Sequence, residues 1–352
     1  MTLFRMDVYS KKEFKHGAIF FWNCIPLSNK NISTMSISRR DFLKISATGA
    51  MATCITAAVP EPLKAATNKK SKKYPHAKRV VMLALDGICV EGFKKANTPN
   101  LDRLFSEGAV STATRVVMPS NTQPNWMSHL SGSGPEQHGV DRNDWLLDKH
   151  TLDPIVTDSD GYYPTVFKIL KDNIPGVKTA FYYNWAELIN PYNRKWLDEV
   201  SFEENDAYLS NYSKALDFMT RHADEPTVVF LYSVHTDHAG HKHKWMSPEY
   251  IASIEEADMH IGEVLTEMKE RNLYDDTHFM FITDHGGVNY GHGGMSPNEM
   301  IVPWGIVGPG IRKDFEITEP NNTVNTAPVI LALFGVETPL YWTGEIPTSI
   351  FK

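Results

Sequence analysis

Between Val80 and Leu85 the segment KRVVMLALDG, residues 78–87, contains no polar residue. An unbroken apolar run of this length that stops at Asp-Gly predicts a strand buried on both faces. The pattern then alternates. NLDRLFSE has helical spacing, with Thr98-Pro99 as N-cap and first residue and Gly108 as its stop. AVSTATRVVM predicts a strand, PTVFKILKDN a helix and VKTAFYY a strand. A long helical stretch, ENDAYLSNYSKALDFMTRHAD, leads to the strand PTVVFLYSV. Ser247-Pro248 opens the helix PEYIASIEEADMHIGEVLTEMKE, and the strands THFMFITD and MIVPWGIVG precede a last helix, TAPVILALFG. Repeated strand–helix units predict an α/β fold in which a central, mostly parallel sheet is sandwiched between helices. Residues 141–162 and 186–203 lack periodicity and carry several aromatic residues, so they predict loop excursions over the strand ends.

One junction stands out. In MPSNTQPNW, residues 118–126, Thr122 falls on a strand-to-helix turn with Pro124 in the first helical turn. Such a turn sets a side chain beside free backbone N–H groups and the positive end of a helix dipole. That suits a nucleophile or an anion site, and it equally suits a simple N-cap threonine.

Composition changes the picture at the amino terminus. The chain has 352 residues and a net charge of −7. Residues 1–73 hold 13 Lys/Arg against 4 Asp/Glu, whereas the remainder holds 22 against 38, a balance of −16. A domain that acidic is unsuited to gripping a nucleic-acid polymer through general electrostatics. No apolar run reaches 18 residues, so no ordinary membrane span is expected. SISRRDFLK, residues 36–44, followed by a weakly apolar Ala/Thr/Gly stretch, resembles a bacterial twin-arginine export signal. The expected organisation is therefore an extension over 1–34, the export signal over 35–66, a Lys-rich linker over 67–77 and a catalytic domain over 78–352. The implied destination is periplasmic or extracellular. Of three cysteines only Cys89 remains beyond the signal, which excludes a disulfide framework.

The strand ends then supply the chemistry. The first strand ends at Asp86, PTVVFLYSV runs into HTDHAGH with Asp237 and His241, and THFMFITD ends at Asp284 with His285 beside it. His292 follows in GVNYGHGG. Ligands in open α/β sheets bind outside the carboxyl ends of the strands, and three aspartates with three histidines there indicate a metal site. Mixed imidazole and carboxylate donors favour zinc, with manganese, iron or cobalt as alternatives. Six or seven ligands exceed one tetrahedral ion and suit a pair, which can clamp both oxygens of an in-line displacement at phosphorus. Thr122 gains a role there, because a hydroxyl needs a metal or a base to act as a nucleophile at neutral pH. An exported binding protein for a metal or phosphorylated ligand would have no need of it.

LALDG, PSNTQPN with HGVDRN behind it, DHAGH, TDHGG and GHGG together resemble the alkaline phosphatase superfamily, in particular its nucleotide pyrophosphatase/phosphodiesterase branch, over residues 78–350. The resemblance implies a hydrolase of small phosphate esters. It implies two zinc ions, one held by Asp86, Thr122, Asp284 and His285 and the other by Asp237, His241 and His292. Thr122 would be the nucleophile, passing through a covalent phosphothreonine, and Asn143 would help bind phosphoryl oxygens with a backbone N–H next to Thr122. Three departures matter. Gln123 stands where the diesterases of that branch usually have an aromatic residue that stacks a nucleobase. No C/S-x-P-x-R segment exists, so a sulfatase is not expected. A Lys-x-Arg pair of some monoesterases is absent after VKTAFYY, which favours diesters, while Arg142 keeps a phosphomonoesterase reading open. His129, His138, His235, His238 and His243 are expected to pack, orient loops or lie exposed, and Asp258 and His260 to lie on a solvated helix face. Cys89 is expected to pack. Nothing in the pattern sets the oligomeric state or the natural leaving group.

Overall fold

The computed structural model describes residues 74–352, so the expected extension, export signal and most of the linker lie outside the described residues. Eight strands form one sheet: β1 Arg79–Leu85, β2 Gly108–Arg115, β3 Lys178–Tyr183, β4 Glu199–Phe202, β5 Thr227–Ser233, β6 Thr277–Ile282, β7 Ile301–Val307 and β8 Phe315–Glu316. Their order is β4-β3-β5-β1-β6-β7-β2-β8. Every neighbouring pair is parallel except the two that involve β7, which runs against both β6 and β2.

β1 shows why an apolar run without alternation is needed. Val80, Met82 and Ala84 face one core, and Val81, Leu83 and Leu85 face the other. A strand with period 2 and helices on both sides has no solvent face to supply. One face is covered by helices α1 Val90–Lys95, α2 Pro99–Ser106, α6 Tyr208–Arg221 and α8 Pro248–Glu270. The other is covered by α3 Thr122–Ser131, α5 Val166–Asn173 and α10 Thr326–Leu333. Short helices α4 Pro135–His138, α7 His235–His243 and α9 Pro297–Met300 lie in connections. Among the described residues no helix is long and apolar enough to cross a membrane.

Several local expectations are corrected. Gly108 does not close α2; Glu107 is the C-cap, and Gly108 already pairs with Val307 in the sheet. A Cβ there would stand 2.3 Å from the Ile306 carbonyl oxygen, so the glycine serves strand pairing. The 186–203 excursion contains β4 and two 3-10 turns. Asp258 is not on a solvated face. It is buried and accepts from the backbone N–H groups of Asn100 and Leu101 at 3.1 and 2.7 Å. Thr98, the N-cap of α2, makes no side-chain cap bond, so a carboxylate from α8 satisfies those helix N-terminal donors instead.

Candidate metal and phosphoryl-transfer site

The three central strands β5, β1 and β6 are adjacent and parallel, so their carboxyl ends open on one edge. Asp86 extends β1 by one residue, its N–H donating to the Ser233 carbonyl at 3.0 Å. Asp284 and His285 follow β6 after Thr283. After β5 the chain enters α7, where Asp237 and His241, four residues apart, share a helix face. Gly87 has φ +72°, and a Cβ on it would lie 2.9 Å from the Cα and Cβ of Asp237. Only glycine therefore lets the turn after Asp86 approach the Asp237 backbone so closely.

His292 is delivered by a different device. Its Nδ1 meets the Ser120 carbonyl at 3.0 Å, two residues before Thr122. His241 Nδ1 meets the Tyr290 carbonyl and His285 Nδ1 the Gly286 carbonyl, both at 2.9 Å. A carbonyl only accepts, so all three rings carry their proton on Nδ1 and present Nε2 as a lone pair. Those lone pairs face carboxylate oxygens. His285 Nε2 is 3.4 Å from Asp86 Oδ1 and 3.3 Å from Asp284 Oδ2. His241 Nε2 is 3.4 Å from Asp237 Oδ2, and His292 Nε2 is 3.8 Å from Asp237 Oδ1.

Acceptor facing acceptor is unfavourable unless a cation lies between. Asp86 Oδ1, Asp237 Oδ1 and Asp284 Oδ2 are buried without a hydrogen-bond partner among the described residues, a costly state for a carboxylate. Donor atoms of Asp237, His241 and His292 lie within 4.8 Å of one another, as do those of Asp86, Asp237 and His285. The protein alone responds by neutralising the cluster. Burial, then the charge of Asp237, pushes Asp86 up to about 8. Burial raises Asp237 to about 7, and burial with the charge of Asp86 raises Asp284 well above the carboxylate range. Burial lowers His292 to about 4, and burial followed by the charge of His292 lowers His285 well below the usual imidazole value. The close His–Asp approaches are therefore not ion pairs between charged groups, and the residues present fit divalent cations of the imidazole–carboxylate class.

Thr122 is the first residue of α3, and Asn121, not Thr122, is the N-cap. Its Oγ1 lies 3.3 Å from His285 Nε2 and accepts from Asn143 Nδ2 at 3.5 Å. The backbone N–H of Gln123 does not point free; it donates to Asn143 Oδ1 at 3.0 Å and so orients that amide toward Thr122. The Gln123 side chain is buried, donating to the Glu187 carbonyl and accepting from the Trp145 N–H. It ties the two long loops together where an aromatic side chain would offer a stacking surface. Arg142 is exposed and bonded to Asp141 and Thr151 rather than turned toward Thr122.

The remaining histidines fall outside the cluster. His129 is buried against Trp126 and bonds Thr326 and the Thr283 carbonyl. His138 accepts from the Val140 N–H and meets Ser128. His235 bonds Ser233 and stacks on Tyr208, and His238 pairs with Asp206. Cys89 is buried and caps α1. Tyr183 and Tyr182 pack in the two cores on either face of the sheet.

Two contributors were not visible in the sequence. Tyr232 donates to Asp86 Oδ2 at 2.5 Å and Trp126 Nε1 to the same oxygen at 3.2 Å. They fix the carboxylate so that Oδ1 faces the histidine. Removing the hydroxyl by Tyr232→Phe should weaken metal retention by about 10- to 100-fold, as for other partners of ligating carboxylates. Chelator competition reads this directly; unchanged metal affinity would show the hydroxyl to be idle.

Comparison with known proteins agrees with the geometry. The profile of the family described as Type I phosphodiesterase / nucleotide pyrophosphatase matches residues 80–325. An uncharacterized pyrophosphatase/phosphodiesterase of Schizosaccharomyces pombe is 26% identical over 222 residues, covering 59% of this chain and 44% of its own length. Ectonucleotide pyrophosphatase/phosphodiesterase family member 3 of Rattus norvegicus is 28% identical over 221 residues, covering 59% of this chain and 24% of its own. The chain spans less than half the length of these relatives. The solved structure of an inactive murine ectonucleotide pyrophosphatase/phosphodiesterase 5 in complex with AMP shares the fold, with TM-score 0.66 at 14% identity, covering 79% of this chain and all of that one.

Proposed function

The chain belongs to the type I phosphodiesterase/nucleotide pyrophosphatase family, and from that premise we propose that it is a metal-dependent hydrolase of phosphate diesters with Thr122 as nucleophile. The observation that carries this reading is the placing of Thr122 Oγ1 at a helix start, 3.3 Å from a ligand histidine in a cluster of unpartnered carboxylate oxygens. Asp86, Thr122, Asp284 and His285 would hold one ion and Asp237, His241 and His292 the other. Two zinc ions bound there would supply the positive charge that acidifies the threonine hydroxyl and a water and neutralises the phosphoryl oxygens.

The protein's own part is positional. Thr122 Oγ1 forms a bond to phosphorus while the bond to one ester oxygen breaks and that group leaves as the alcohol. The other ester group stays on phosphorus in the threonine-linked intermediate. Water then forms a bond to phosphorus, the threonine–oxygen–phosphorus bridge breaks, and the hydroxyl is restored. Asn143, held by the Gln123 N–H, keeps its amide donors on the reacting side. The positive end of α3 favours the charge on the transferred group.

Diesters are favoured over monoesters because the extra charge of a monoester needs a further cation. Arg142 is already engaged by Asp141 and Thr151. A cavity of about 440 Å³ lies between the two long loops, lined by Leu146, Leu147, Tyr162, Ile189, Tyr192 and Arg194. Comparing bis-aryl and mono-aryl phosphates, a nucleotide diester and a choline phosphodiester should give the highest kcat/KM with a diester. A clear monoester preference would contradict the reading. Export of the enzyme to the periplasm or beyond belongs to the same proposal, and cell fractionation checks it.

A further inference from the structure

Eleven large apolar side chains are exposed among the described residues, and four of them fall together. Met118 is 41%, Val288 38%, Tyr290 61% and Met295 78% exposed. All four sit on the two segments that deliver Thr122 and His292. These segments are bound to each other: Ser120 Oγ donates to the Gly294 carbonyl at 2.7 Å and accepts from the Gly293 N–H at 3.1 Å. Met118 and Met295 therefore flank one joined pair of turns. Leu146 and Ile155, 39% and 58% exposed, lie on the loop that carries Asn143.

Cations adjoin this patch. The Tyr290 carbonyl accepts from His241 Nδ1, and the Trp245 N–H donates to the Asn289 carbonyl at 2.8 Å, so the Tyr290 turn lies against the end of α7. Lys242 and Lys244 are exposed there, and among the described residues neither has an ion-pair partner. A domain with a net charge of −16 beyond residue 73 thus sets two unpaired lysines and an exposed tyrosine, valine and two methionines around the opening of its site.

We propose that this rim docks on an anionic lipid surface, with Met118, Val288, Tyr290 and Met295 entering the headgroup layer and Lys242 and Lys244 facing its phosphates. Contiguous exposed apolar side chains beside polar ones mark interaction sites. Tyrosine with neighbouring lysines is the composition of a membrane interface, where an apolar body is buried and a polar tip stays wet. A protein partner seated on the rim would cover the opening, whereas a lipid surface would present headgroup esters to it. The esters reached would then be phosphodiesters of lipid headgroups. Docking does not depend on the reaction proposed above and is read without turnover.

The test is sedimentation of the full chain with vesicles of phosphatidylcholine alone and of phosphatidylcholine with phosphatidylglycerol. Binding should be stronger to the anionic vesicles. The pair Lys242→Glu and Lys244→Glu should remove that preference, each lysine contributing about fivefold. The pair Tyr290→Ser and Met295→Ser should weaken binding to both compositions by about tenfold or more. Met295→Ser and Lys244→Glu alone should leave kcat/KM on a water-soluble diester unchanged without vesicles, which separates docking from catalysis. The proposal is overturned if the wild type does not bind anionic vesicles. It is equally overturned if both pairs bind like the wild type, which would assign binding to the basic residues 1–73, or if the apolar pair changes only the oligomeric mass, which would make the rim a contact between copies of the chain.

Discussion

Thr122→Ala should lower kcat on a phosphate diester by a factor on the order of 10³ or more, while Thr122→Ser retains turnover. The contrast isolates the hydroxyl. Thr122 is nearly fully buried, but it is the first helical residue and Asn121 holds the N-cap position, so alanine removes no cap. Alanine loses the γ-methyl along with the hydroxyl, but α3 is held by Asn125, whose side chain bonds Val117, Pro119 and Asn121. Six other ligands remain, so metal content should stay near that of the wild type. Loss of both activity and metal in Thr122→Ala would point to a ligand role alone. Near-normal kcat would reduce Thr122 to a structural residue.

Stripping the metal should abolish hydrolysis and make the fold sensitive to pH in a defined direction. Asp86 is pushed up to about 8 and Asp237 to about 7 by burial and, for Asp86, the charge of Asp237. The native metal-free protein therefore keeps protons that the unfolded chain has released. Where the native state binds more protons, stability falls as pH rises. The metal-free melting temperature should thus drop between about pH 6.5 and about pH 8; below that window His285 and His292, which burial keeps neutral while the unfolded chain protonates them, act in the opposite direction. Bound cations replace those protons, so zinc should raise the melting temperature more at the alkaline end than at the acid end. Melting curves of the stripped and zinc-loaded protein, taken across that range, check this. Parallel curves would mean that these carboxylates are not the ligands.

The parts of the site that were legible before the structure share a physical reason. β1, β5 and β6 are apolar on both faces, so the first charged residues after them mark the strand ends, and adjacency of those strands brings Asp86, Asp237 and Asp284 together. What stayed hidden has reasons too. The nine residues of α7 carry four histidines and two further charged groups with no apolar stripe, so nothing in their pattern declares a helix. β4 is a four-residue edge strand, only partly buried. Tyr232 sits within an apolar run and reads as core; its hydroxyl bond to Asp86 is a matter of sheet neighbours, not of sequence. Asp258 follows helical spacing like a surface residue, yet a second helix end 158 residues away claims its carboxylate. Periodicity reports which face is apolar. It does not report which polar group another element needs.

The threonine-linked intermediate can be sought directly. Wild-type enzyme mixed with a bis-aryl phosphate and quenched in acid within the first turnovers should yield, on peptide mass spectrometry, an aryl phosphate adduct on the peptide that contains Thr122. That adduct should be absent from Thr122→Ala. Turnover by the wild type with no adduct on that peptide, together with Thr122→Ala hydrolysing the same ester at a comparable rate, would contradict nucleophilic catalysis by Thr122.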